Sequence, residues 1–200
     1  MNQIMKKSLL LFLLATIFSS SSKAQSIVEE LRNINEERIE KNKTAMKLLG
    51  GWSVANIATG TYGRLQTGGA TRYFHEMNAA WNSVNLAIAG FGYYGAKRAD
   101  TDLSLTETVR ESNNLDKILL LNTGLNVGYM ATGAYLWERG IRKQSDRQSG
   151  YGQSLILQGA FLFVFDTLFY LSRSSERERI RSVLESIQFN GTGISYNRTF

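Results

Sequence analysis

The sequence predicts an all-α protein: a four-helix transmembrane bundle with an N-terminal amphipathic helix and a short C-terminal β-hairpin-like tail. Three observations carry that prediction. Four apolar stretches, roughly 44–62, 73–94, 118–137 and 151–171, each approach the ~20 residues that a helical membrane crossing needs. Their polar residues recur at helical spacing, as His75, Asn78, Asn82 and Asn85 do on the second stretch. The charges gather in the connectors between the stretches.

The N-terminus reads as a signal peptide over residues 1–24. Lys6 and Lys7 form a basic region, Leu9 to Phe18 an apolar one, and Ser22 and Ala24 put small residues at −3 and −1 of a cleavage site before Gln25. Removing Lys6, Lys7 and Lys23 from the net charge of +6 leaves +3, too small an excess for a nucleic-acid footprint. Residues 25–43 follow as an amphipathic helix, opened by the Ser26/Glu29 capping-box pair and carrying Ile27, Leu31, Ile34 and Ile39 on one face.

The four-helix membrane domain is expected over residues 44–172. Its fourth stretch is the clearest, with Phe161, Leu162, Phe163, Val164 and Phe165 in one run, and its first is interrupted by Lys47. Tyr62, Tyr93, Tyr94, Trp137, Tyr151 and Tyr170 cluster near the ends like an interfacial belt, whereas Trp52 and Trp81 lie inside and do not fit it. The connectors are 63–72, 95–117 and 138–150, the middle one with room for a short helix opened by Ser104 or Thr106. Residues 173–200 read as an amphipathic turn and a tail in which Asn190-Gly191 signals a hairpin and Ile194, Tyr196 and Phe200 keep a period of two. Residues 56–62 (NIATGTY) and 129–135 (YMATGAY) echo one another, as a duplicated helical hairpin would.

Export of the N-terminus places both mature ends on the periplasmic side of the inner membrane. The first and third connectors then lie inside, which suits Arg64, Arg72, Arg139, Arg142, Lys143 and Arg147.

The composition excludes much chemistry. With no Cys there are no disulfides, thiolate metal sites or Cys nucleophiles, and a single His cannot form a His-rich metal centre. No cofactor and no metal are expected. The candidate site is the polar interior: Asn56, His75, Asn78, Asn82, Asn85, Asn122, Asn126, Gln158 and Asp166. Amides and acids in hydrocarbon need partners, so these faces turn inward. One outcome is a bundle glued by amides, with Gly50, Gly90, Gly124, Gly133 and Gly159 allowing close approach. The other is a polar cavity that binds or passes a small solute, proton or cation, with Asp166 as its carrier.

The stretches SKAQ at the signal-peptide end, YFHEMNAAWNSVNLAIAGFG (73–92) and GYGQSLILQGAFLFVFD (150–166) together resemble an uncharacterised family of small exported proteins of Bacteroidota-type bacteria. The resemblance implies an envelope protein with several membrane helices and carries over no catalytic residue. The expected partners are the lipid bilayer and either a second copy of the chain or another envelope protein, with no nucleic acid. Two other architectures compete: a small outer-membrane β-barrel and a soluble periplasmic helical bundle, the latter suiting a mean hydropathy of −0.20. A structural or partner-binding membrane protein without a solute site competes on function. Catalysis is not expected; an enzyme would centre on Asp166 and His75.

Overall fold

The computed structural model describes residues 3–189 and 194–196, and the side chains of residues 25–187. The fold is all-helical: α1 (Gln3–Gln66), α2 (Gly69–Arg98), α3 (Leu105–Arg142), α4 (Asp146–Ser172) and α5 (Ser174–Ser186). Two three-residue strands, β1 (Ile187–Phe189) and β2 (Ile194–Tyr196), pair antiparallel with Ile187 opposite Tyr196 and Phe189 opposite Ile194. The expected Asn190-Gly191 turn and Phe200 lie outside the described residues, as do the side chains of the expected signal peptide.

Each apolar stretch lies within a longer helix, and the connectors shrink accordingly. α1 runs through Ser26, so the expected capping box there does not start a helix. The first connector reduces to Thr67 and Gly68, closed by bonds from the Thr67 N–H (3.0 Å) and Oγ1 (2.7 Å) to the Gly63 carbonyl. Gly69 then takes φ +57°, a left-handed conformation that a side chain would strain. In the middle connector Ser104 does open a helix. Its Oγ accepts from the Glu107 N–H at 3.3 Å while its own N–H donates to Glu107 Oε2 at 3.0 Å. That helix is not short, because residues 105–117 contain neither Gly nor Pro to stop it. Ser145 caps α4 by accepting from the Gln148 N–H.

Packing divides the chain into two units: residues up to 37 with 100–110 and 175–200, and residues 38–99 with 111–174. In the first, Leu31, Ile34, Ile180 and Val183 are buried and the surface is ionic. Arg179 bonds Glu30 and Glu37, both at 2.8 Å, and Arg32 pairs with Asp102 at 3.1 Å. Buried Asn35 donates to Thr108 Oγ1 at 2.9 Å.

The second unit holds α2, α4 and the adjoining parts of α1 and α3. Its apolar core is small: Leu49, Ala89 and Phe165, with Ala45, Met46, Phe161 and Leu162 against them. Helices approach closely at glycines. A Cβ on Gly133 would lie 2.7 Å from the Gly152 carbonyl oxygen, and one on Gly60 would lie 2.9 Å from the Ala79 nitrogen. Gly60 and Gly133 occupy the same place in the two echoing heptapeptides, so the echo marks equivalent helix crossings. Gly159 also sits at a crossing, against the Asn126 carbonyl, but Gly90 and Gly124 face open space and Gly50 meets only ordinary contact. Gly140, Gly150 and Gly152 meet backbone of a neighbouring helix as closely, while Gly63 and Gly92 meet the His75 and Met46 side chains.

The polarity of this unit is inverted. Ser53, Asn56, Asn78, Asn82, Asn85, Asn126, Ser154, Gln158 and Asp166 are buried, while Leu48, Val54, Val84, Ile88, Phe91, Leu121, Val127, Val164 and Leu168 are exposed. Among the described residues one helical stretch, Asp146–Ser186, is long and apolar enough to cross a membrane. The amides of the other three stretches dilute their mean hydropathy even though their outward faces are apolar.

Candidate functional site

The helical period puts Asn78, Asn82 and Asn85 on the buried face of α2, where α4 packs along it. Gln158, buried on α4, donates to Asn78 Oδ1 and accepts from Trp52 Nε1 at 3.4 Å. Asn78 Nδ2 donates to Asn56 Oδ1 at 3.0 Å, and Asn56 Nδ2 returns to the Trp52 carbonyl of its own helix at 2.8 Å. Asn82 Nδ2 donates to the Asn78 carbonyl at 2.9 Å, and Asn85 Nδ2 reaches Asn82 Oδ1 at 3.5 Å. The Trp52 ring stacks on Phe161 with centroids 3.8 Å apart. Asn56, Asn78, Asn82 and Gln158 therefore form a closed amide cluster joining α1, α2 and α4.

The other half of the polar set surrounds space. Asn85, Asn122, Asn126 and Asp166 line a chamber of about 260 Å³ with Leu49, Trp81, Val84, Ile88, Leu125, Tyr129, Leu162 and Phe165. Asp166, 5% exposed, accepts from Asn126 Nδ2 at 2.8 Å through Oδ2. Trp81 meets Tyr129 edge-on at 4.9 Å. The two tryptophans that fit no interfacial belt thus each serve an interior role, Trp52 in the cluster and Trp81 in the chamber wall.

His75 joins neither region. Its ring packs at Gly63, where a Cβ would come within 2.5 Å of it, and lies edge-on to Phe74 at 5.3 Å. Its neighbour Glu76 accepts from Tyr151 Oη at 2.6 Å and from Arg64 Nε at 2.8 Å, tying α1, α2 and α4 together at one end. Arg147 lies 5.2 Å over the Tyr151 ring. Lys47, which interrupts the first apolar stretch, is exposed with its ammonium 5.7 Å from the Tyr93 ring centroid.

Sequence reasoning missed Arg173. It falls at the start of the expected turn and tail, yet it is fully buried, donates to the Ser112 carbonyl (3.2 Å) and Oγ (3.0 Å), and stands 3.4 Å from Asp116 Oδ1. The available signal was Ser112 and Asp116 at i, i+4 on α3, a polar pair waiting for a partner.

The model of a family of unknown function, DUF6992, matches residues 48–167, more than half of the chain. The chain belongs to DUF6992. No curated protein and no solved structure matches it. The DUF6992 segment begins beside Leu49 and ends beside Asp166, so it encloses the amide cluster, the chamber and His75.

Proposed function

We propose that residues 44–172 form a four-helix membrane domain whose interior is part scaffold and part binding site. The observation that carries this reading is the inverted polarity: around a small apolar core, Asn, Gln, Ser and Asp are buried while side chains such as Leu48, Val84, Ile88 and Phe91 face out. In water that arrangement exposes apolar surface and desolvates amides together, whereas a bilayer rewards both. The glycine crossings suit it, because close backbone approach drives helix association in lipid.

The chamber is the functional part. An acid at membrane depth, held by one amide and walled by Asn85 and Asn122, is suited to bind or pass a small solute, a proton or a cation. The role is binding or conduction rather than catalysis. The signal-peptide pattern supports export, with the inner membrane as destination and both mature ends periplasmic.

Fractionation on a density gradient followed by alkaline carbonate extraction tests the setting. Retention in the inner membrane is expected. Retention in the outer membrane, or release into the soluble fraction, overturns the reading.

A second reading, a scaffold without a solute site, is favoured by the closed amide cluster. Replacing Asp166 by Asn separates the two, because the Asn126 contact survives while the charge is lost. Loss of cation or proton binding with folding intact is the expected result, and unchanged binding sinks the solute site.

A further inference from the structure

The chamber is polar at the back and apolar at the mouth. Asp166 and Asn126 are 5% and 2% exposed, whereas Val84, Ile88 and Leu125 in the same wall are 61%, 53% and 46% exposed. The opening therefore lies between α2 and α3, on the outward apolar surface. If that surface meets acyl chains, as the reading above has it, the chamber opens sideways into the bilayer. A hydrated ion would have to cross lipid to enter by that route, and an amphiphile would not.

The interior specifies the head of such a molecule. Asp166 bonds an amide, and among the described residues no ion pair is formed with it, so a cationic donor completes it. Trp81 and Tyr129 add aromatic faces, which attract an ammonium. The volume, about 260 Å³, is just under the roughly 300–1,000 Å³ of ordinary small-molecule pockets. It suits a head group and a few carbons, the remaining tail passing Val84, Ile88 and Leu125 into the acyl chains.

We propose that the chamber takes a lipophilic amine from the bilayer, its ammonium at Asp166 and its alkyl tail in the mouth between α2 and α3. This rests on the membrane reading. The test places the full chain in lipid nanodiscs and titrates a brominated dodecylamine, reading Trp81 as the quenching of the native chain minus that of a Trp81→Phe variant. Saturable quenching is expected. It should weaken at least about tenfold in Asp166→Asn, as loss of a charge-assisted bond implies. It should weaken likewise in Val84→Phe, which narrows the exposed mouth without adding a tryptophan to the readout.

Dodecanol should compete poorly, and equal competition overturns the ammonium assignment. Methylammonium should not displace the probe; if it does, and Val84→Phe has no effect, the site is fed from water and the lateral route falls while a solute site stands. Absent saturable quenching in a carbonate-resistant chain overturns the inference and spares the membrane reading. A carbonate-soluble chain removes both.

Discussion

The amide cluster and the chamber share α1, α2 and α4 and draw their asparagines from the same face of α2, yet one is closed and the other, which adds α3, is hollow. In the cluster, Asn78 bonds Asn56 on α1 and Gln158 on α4, and Trp52 closes over Gln158. One turn or two further along α2, Asn85 lines open volume with Asn122 and Asp166. What separates them is the neighbour. The cluster has a long amide, Gln158, able to reach across the interface, whereas the chamber has the shorter Asp166 with its partner Asn126 on α3. Spacing alone sets which face of a helix is polar, and side-chain reach decides whether that face closes.

The most damaging way to break this comparison is to remove the frame that both regions share. Gly133→Leu would force side-chain atoms against the Gly152 carbonyl and the Ile156 backbone, neither of which can step aside. A loss of about 3 kcal/mol or more is expected, read as unfolding of the full chain in detergent. Gly124→Leu, which meets open space, should leave stability unchanged and serves as the control.

Asn78→Leu attacks the cluster alone. It strands Asn56 Oδ1 and Gln158 Nε2, and a cost of about 2 kcal/mol is expected in the same unfolding measurement. Asn122→Leu makes the matching change in the chamber and should cost under about 1 kcal/mol, since it fills space rather than stranding a partner. Equal costs for the two would mean that the chamber is scaffold as well.

The smallest effect expected is outside both regions. Glu107, exposed at the start of α3, has its carboxyl held below the usual glutamate value of 4.5 by its bonds to the side chain and backbone of Ser104. A lowered folded value means the contribution is complete above the ordinary value and is lost as pH falls through the folded one. Helicity followed from about pH 6 to about pH 3 should show a slight acid loss that Ser104→Ala reduces, since the backbone bond to Glu107 remains. Amine binding at the chamber should not change in that variant.

Much of the frame was legible in the sequence because periodicity is local. The apolar stretches located the helices, and Asn78, Asn82 and Asn85, set at helical spacing with His75, are buried. Helix ends were less legible: an uninterrupted Leu105–Arg142 needs no signal beyond the absence of Gly and Pro, whereas polarity alone suggested a connector. The split of the amides into cluster and chamber was not legible, since it depends on which helix faces which. Arg173 was hidden for the same reason, its partners lying 57 and 61 positions away on α3. Of the glycines named as contact points, Gly90 and Gly124 turned outward, because residue type does not reveal which side of a helix has a neighbour.

The order of the cluster along the chain has a consequence for biogenesis. On the membrane reading, Asn78 enters with the first hairpin, and Gln158 arrives only with α4. Until then the Asn78 carboxamide lacks one of its interhelical bonds at a depth where lipid offers no substitute. A chain truncated or stalled before α4 therefore leaves the Asn78 carboxamide oxygen with only the long 3.4 Å bond from Asn82 of its own helix, so the first hairpin is complete in sequence before its interior is complete in hydrogen bonds.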